Sequence, residues 1–263
     1  MVDKDPGLLE IDTGTPHPAR MYDYFLGGKD NFPADRKAAD MLLAVAPEAR
    51  DLARQNRAFL QRAVRFLAGE AGIRQFIDIG TGIPTQGNVH EVAHALAPDA
   101  RVVYVDNDPI VLTHSRALLA GHNTTIVQGD LREPDAILDQ PAVWQVIDFD
   151  QPVAILLVAI LHFIKDEEGP DRIVARLRDA MAPGSYLVVS HGTGDFNPDA
   201  TPTAARAYGR SASQLSPRTH AEVLRYFDGL ELLEPGLVPV SMWRPDGDIP
   251  ETKGVYGGVG RRR

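Results

Sequence analysis

Apolar and polar positions follow two rhythms along the chain. Short apolar runs recur at Phe76–Ile79, Arg101–Asp106, Thr124–Asp130, Val153–Val158 and within Met181–His191, each ending in Gly, Asp or another polar residue. Runs of that length predict parallel strands buried on both faces. Between them the apolar residues return at helical intervals. Leu52, Phe59, Leu60, Ala63 and Leu67 form a stripe in a long helix opened by Pro47 and closed at Gly69 or Gly72. Val89, Val92, Ala93 and Leu96 predict one further helix, Pro109 to about Ala120 another, and Ile173, Val174 and Leu177 the inner face of a third starting at Gly169-Pro170. Ser216-Pro217 opens a last helix with Val223, Leu224 and Phe227 inward, and Leu230–Trp243 with Val255–Val259 read as a closing β-hairpin. Strands alternating with helices predict an α/β fold around a parallel sheet.

Residues 1–18 carry no periodicity and read as a disordered lead-in, with little fixed structure before Ala19. Residues 19–72 read as an N-terminal helical cover and residues 73–263 as the α/β domain. In the cover, Met21, Tyr22, Tyr24, Phe25 and Leu26 form a short amphipathic segment stopped by Gly27 and Gly28. Lys29, Asp30, Asn31 and Phe32 follow at once. This is either a helix cap and surface turn or a lid whose Lys29 or Asp30 reaches a ligand, with Tyr22 or Tyr24 shaping its pocket. Arg54, Asn56 and Arg57 on the long helix are able to face a site, though nothing in the pattern requires it.

The chemistry concentrates at the strand ends. Phe76–Ile79 runs into Gly80, Thr81 and Gly82, a strand-to-helix turn suited to a nucleoside ligand. Ile83, Pro84 and Thr85 stand where a dinucleotide fingerprint places its third glycine. Asp78 beside the turn suits an ammonium group better than a phosphate. Asp106, followed by Asn107, ends the second strand at the spacing where an acid meets ribose hydroxyls, and Asp108 suits the cap of the Pro109 helix. Gly129 and Asp130 end the third strand, where an acid accepts from an adenine amino group and Leu131 packs on the ring. Three acids at three successive strand ends point to one cofactor pocket. His162, just past the fourth strand, is either a proton acceptor near substrate or a packed core residue. The small, turn-rich stretch 192–216 is a candidate substrate cover with a weak helix near Ala204–Tyr208.

Composition narrows the partners. The 263 residues are 44% hydrophobic and 24% charged, and the net charge of -9 argues against a polyanion such as nucleic acid as the main partner. The absence of cysteine removes disulfides and thiolate metal sites and is compatible with a reducing cytoplasm. No apolar run is long enough to span a bilayer, and no early run resembles a signal peptide, so a cytoplasmic location is expected. His90 and His94 share a helical i, i+4 spacing with Glu91 directly after the first, the spacing of a metalloprotease helix, but no metal is expected. The sequence leaves the oligomeric state open.

DIGTGIP, VYVDNDP and QGDLREP in that order, then AILLVAILHFI and MAPGSYLVVSH, make the chain similar to class I S-adenosylmethionine-dependent methyltransferases. YDYFLGGKDNFPADR, LLEPGLVPVSMWRPDG and YGGVGR resemble, more narrowly, an actinobacterial family of S-adenosyl methyltransferases formerly counted as a domain of unknown function. The resemblance implies a Rossmann-like sheet of seven strands, mostly parallel with the last antiparallel, under an N-terminal helical cover. It implies S-adenosylmethionine as cofactor, with Gly80, Thr81 and Gly82 near its amino acid end, Asp106 at the ribose, and Asp130 with Leu131 at the adenine. It names no acceptor; a small molecule is expected. A non-catalytic binder of the cofactor or of S-adenosylhomocysteine is the alternative, and an NAD-dependent oxidoreductase a more distant one.

Overall fold

The computed structural model describes residues 12–84, 87–118, 123–196 and 214–263. The expected helix near Ala204–Tyr208 lies outside them. The strands are β1 (Gln75–Ile79), β2 (Arg101–Asp106), β3 (Thr124–Gln128), β4 (Ala154–Val158), β5 (Tyr186–Gly192), β6 (Glu231–Leu232), β7 (Val238–Pro239) and β8 (Val255–Arg261). They form one sheet in the order β3-β2-β1-β4-β5-β8-β6, with β7 also paired to β8. β1 to β5 are mutually parallel and β8 runs antiparallel to β5. The expected mostly parallel sheet with an antiparallel last strand is therefore present, with eight strands rather than seven. The closing hairpin takes a different form: β6 and β7 both pair along the free edge of β8, because the 3-10 turn Val240–Met242 ends the second of them early.

The helices are α1 (Pro18–Leu26), α2 (Pro33–Leu43), α3 (Ala49–Arg65), α4 (Val89–His94), α5 (Pro109–Leu118), α6 (Pro134–Leu138), α7 (Pro141–Trp144), α8 (Pro170–Ala180) and α9 (His220–Leu224). Two apolar layers cover the sheet. One joins Ile77, Val103, Ile155 and Leu187 to Ile137, Val143, Ile173 and Leu177. The other joins Phe76, Val102, Leu156 and Val188 to Phe59, Ala63, Leu67 and Trp243. The alternation of Phe76 and Ile77 between layers is the period-two geometry of a strand buried on both sides. Leu96 and Leu224, expected on inner faces, are exposed, since α4 stops at His94 and α9 is barely more than one turn long.

A third, smaller core belongs to the cover: Met21, Phe25, Ala38, Ala39 and Leu42 pack against Ala53 of α3. α3 thus serves two cores, the cover with its first half and the sheet with its second. The lead-in is not loose from Asp12 onward. Arg20, itself buried, donates to the carbonyls of Asp12 and Thr15 at 2.9 Å each, and the His17 N–H donates to Asp35 Oδ1 at 2.8 Å. A buried guanidinium must find acceptors, and this backbone supplies them.

Phe59 is fully buried where α3 meets the sheet and lies edge-on to Trp243, ring centroids 5.6 Å apart. Phe59→Ala should cost about 3–5 kcal/mol. Denaturant unfolding should show this as a lower midpoint at unchanged slope, and a loss below about 1 kcal/mol would mean that the helix is not anchored at this contact.

Candidate functional site

The carboxyl ends of β1 to β5 open onto a cavity of about 820 Å³, roofed by α1 and by the first half of α3. Its lining includes Asp78, Gly80, Thr81, Gly82, Asp106, Asn107, Gly129, Asp130, Leu131 and His162. Ten of the twelve residues expected at a site therefore meet in one place.

The turn after β1 depends on its glycines. Gly80 and Gly82 have φ of 76° and 68°, a left-handed conformation that L residues with a Cβ adopt only at a cost. A Cβ on Gly80 would lie 2.5 Å from Ile160, whereas one on Gly82 would meet nothing closer than Ala19 at 4.0 Å. Gly80 is thus needed for packing, and Gly82 leaves its backbone open to a ligand. Asp106 fixes this turn: its Oδ2 accepts the Gly82 N–H and its Oδ1 the Asp108 N–H, both at 2.9 Å. Asp108 caps α5 through the Ile110 N–H at 2.9 Å, and its other oxygen lies 3.0 Å from His17 Nδ1.

The carboxylates differ in their surroundings. Asp78 accepts from the Thr81 hydroxyl at 2.7 Å. Burial pushes its carboxyl up to about 6, against the opposing pull of Thr81 and Arg57, and Asp106 adds to the rise. Burial raises Asp106 as well, while the two N–H donors hold it back. Asp130 is instead held below the ordinary range by the Arg132 side chain, which grips both of its oxygens. Arg132 reaches on to Glu168 at 3.3 Å.

Lys29 and Asp30 do not line the cavity; both are exposed. Their stretch folds on itself. Asp23 Oδ2 accepts the Asp30 N–H at 3.0 Å and the Asn31 amide at 2.7 Å. Arg36 donates to the Asn31 carbonyl at 2.7 Å, and Asp35 Oδ2 accepts the Phe32 N–H at 2.8 Å. A Cβ on Gly28 would lie 1.9 Å from the Asp23 carboxylate, so the second glycine exists for this turn. The cover reaches the cavity through His17, Ala19, Tyr22 and Phe25 instead. Tyr24 faces away, donating to Asp40 at 2.9 Å.

α3 brings Gln55, Asn56 and Arg57 to the cavity, whereas Arg54 is exposed outside it. Arg57 Nη2 donates to Asn88 Oδ1 at 2.8 Å, while its Nε is buried without a partner, as is Gln55 Oε1. An apolar stripe shows which face of a helix is buried, but not which polar neighbours the turn of the helix carries to a cleft. His17, Gln55 and the strap Pro250–Val255 gave no signal in the sequence; the strap lines the cavity because it leads into β8 beside β5.

His162 Nδ1 accepts the Gly192 N–H at 3.1 Å, and burial pushes the imidazole down to about 3, with Arg218 adding to the shift. The ring is neutral, its acceptor nitrogen is occupied and its proton sits on Nε2. It is therefore a donor, not the proton acceptor expected as one of its two roles. His90 and His94 bond to the Tyr104 hydroxyl and the Ala100 carbonyl, both at 2.8 Å. Among the described residues no group of three or more His, Asp or Glu side chains could hold a metal ion. No helix among them is long and apolar enough to cross a membrane.

The family model described as S-adenosyl methyltransferase matches residues 5–263. Among solved structures, a DUF574 family protein from Streptomyces avermitilis is 47% identical, with 96% of this chain and 99% of that one covered at a TM-score of 0.92. A Thermobifida fusca protein described as a candidate methyltransferase is 45% identical, with both chains fully covered and a TM-score of 0.91. A S-adenosylmethionine-dependent methyltransferase from Anabaena variabilis shares the fold at 17% identity and a TM-score of 0.50, with 75% of this chain and 80% of that one covered. No curated protein matches the chain. With residues 5–263 matched and two solved structures similar over nearly the whole chain, the chain belongs to the S-adenosyl methyltransferase family, whose cofactor is S-adenosylmethionine.

Proposed function

We propose that the protein transfers a methyl group from S-adenosylmethionine to a small-molecule acceptor, with cofactor and acceptor side by side in the one cavity. The observation that carries this reading is the cavity itself. At about 820 Å³ it lies in the upper part of the range of about 300–1,000 Å³ usual for small-molecule sites, and its two halves differ in chemistry. The half at the ends of β1 to β3 holds the glycine turn and the three carboxylates. The half at the ends of β4, β5 and β8 is mostly apolar, with Ile160, Phe163, Phe196 and Val255.

The first half fits the cofactor. Gly82 leaves room for close approach, with Asp78 beside it. Keeping Asp78 ionised at neutral pH costs roughly 3 kcal/mol relative to water, because its carboxyl is pushed up to about 6. An ammonium group placed against it recovers that cost. The Nε–H of Arg57, buried without a partner, is a matching donor for a carboxylate, the role expected of Lys29. Asp106 keeps a lone pair on each oxygen for ribose hydroxyls after accepting two N–H donors. Asp130, oriented by Arg132, accepts from an adenine amino group while Leu131 packs on the ring, and Asn107 lies beside them.

When bound, S-adenosylmethionine supplies a methyl group on a positively charged sulfur, open to in-line displacement. The chain's own work is then positioning and exclusion of water. Tyr22 contributes through a hydroxyl that burial keeps neutral, and α1 closes the top of the cleft. A cytoplasmic location is part of the same reading, consistent with a small-molecule acceptor.

Calorimetry should find that S-adenosylmethionine and S-adenosylhomocysteine bind and NAD does not. Asp106→Ala should weaken binding by about ten- to a hundredfold, roughly 1.5–3 kcal/mol; an unchanged dissociation constant would remove Asp106 from the site. Labelled methyl transfer into extracts separates an enzyme from a non-catalytic binder.

Binding should also depend on pH through Asp78. The bound ammonium favours the ionised carboxylate, so affinity is full above about 6 and falls as the pH drops through that value. Asp78→Asn should flatten this step and Arg57→Gln should leave it in place at lower affinity. A step of the same size in Asp78→Asn would assign the titration to another group.

A further inference from the structure

Among the described residues the acceptor half of the cavity is mostly apolar, with Thr193, Glu251, Thr252 and Lys253 also in its lining, and it contains one rigidly mounted imidazole. His162 follows β4 in the 3-10 turn Leu161–Phe163. Its Nδ1 is taken by the Gly192 N–H at 3.1 Å, and no described residue bonds to its Nε2. The mount is complete on every side. His191 packs edge-on at 5.5 Å with its Nδ1 2.7 Å from the Gly192 carbonyl and its Nε2 accepting from Arg218 at 3.1 Å. Arg218 donates in turn to the carbonyls of Leu161 and Ile164 and to Asp166. Both imidazoles are thereby neutral, with burial pushing His191 well below its ordinary value as it does His162.

This cluster offers a ligand one N–H donor and no base. The carboxylates at the strand ends are otherwise engaged: Asp78 by Thr81, Asp106 by two backbone N–H groups and Asp130 by Arg132. An aliphatic alcohol would keep its proton here, and an amine would turn its own N–H groups toward the donor. A carboxylate would have to carry its charge past Glu48, Asp51 and Glu251, three acids against one lysine, Lys253, all exposed in the cavity wall. An acidic hydroxyl avoids all three difficulties. It arrives neutral and ionises beside a hydrogen-bond donor and a positively charged sulfur.

We propose that the methyl acceptor is a largely apolar phenol or enol that ionises near neutral pH, and that His162 Nε2–H donates to its oxygen. The inference rests on the methyl-transfer reading above. The hydroxyl proton leaves to water; the oxygen's pair then forms the O–C bond as the C–S bond breaks, and the C–S pair stays on sulfur. His162 holds the oxyanion and takes no proton in this scheme.

The test uses 4-nitrophenol, whose ionised form absorbs visible light, titrated with the full chain saturated with S-adenosylhomocysteine. The phenolate should bind at least about tenfold more tightly than the phenol, so that the bound probe titrates at lower pH than the free one. Two variants separate donor from mount. The His162→Asn amide oxygen keeps an acceptor for the Gly192 N–H but loses the donor at Nε2, and the preference should vanish at near-normal melting temperature. The His162→Gln amide nitrogen reaches the Nε2 position, and most of the preference should return. Equal titration of bound and free probe, a preference that survives in His162→Asn, or no binding of the probe to protein that calorimetry shows to hold S-adenosylhomocysteine would each overturn the proposal. A failure of S-adenosylhomocysteine itself to bind would instead strike the methyl-transfer reading.

Discussion

One line of hydrogen bonds holds the floor of the cavity to its roof. The Tyr22 hydroxyl donates to the Ala53 carbonyl at 2.9 Å and accepts from Asn56 Nδ2 at 3.0 Å. Asn56 Oδ1 accepts from the Ser190 hydroxyl at 2.6 Å, and Ser190 Oγ accepts the Ala159 N–H at 2.9 Å. The line joins α1, α3, β5 and the end of β4, and Asn56 and Ser190 are buried. Unmade bonds in such a place cost more than made ones return, so these four elements are locked in register. Ala159 sits at φ 57° at the last step, a left-handed conformation that costs an alanine on the order of 1 kcal/mol. The bend turns the chain from β4 into the wall that carries Ile160 and His162.

The site follows from an electrostatic arrangement built on that frame. Asp78 and Asp106 are both buried, and neither meets a full counter-charge at hydrogen-bond distance; their partners are a hydroxyl and backbone N–H groups. Desolvated carboxylates left short of positive charge suit a cationic ligand, which brings the missing charge with it. Asp130, by contrast, already has its arginine and suits a neutral base. Across the cavity, the half at the ends of β4, β5 and β8 is mostly apolar, and burial keeps His162 uncharged.

The sheet was legible because parallel strands buried on both faces read as unbroken apolar runs, and because each of the first three strands has an acid at or near its end, at the spacing of a nucleoside site. Asp78, Asp106 and Asp130 all line the cavity. Lys29 and Asp30 misled for a physical reason: polar groups crowded around two glycines look the same whether they await a ligand or satisfy one another. Here Asp23 and Asp35 absorb the turn. Asn56 and Arg57 stayed ambiguous because the packing of α3 on two cores, which aims them, is set by tertiary contacts. The role of His162 turned on which ring nitrogen was occupied, and only the position of Gly192 decides that.

Amide hydrogen exchange with and without saturating S-adenosylhomocysteine tests the central claim, that the strand-end turns and the start of the cover grip the cofactor together. Exchange should slow at Gly80–Gly82, at Asn107–Asp108 and along α1 from Ala19 to Phe25, while Gly27–Phe32 stays unchanged. Unaltered exchange at Gly80–Gly82 and Asn107–Asp108, or slowing confined to Gly27–Phe32, would contradict it.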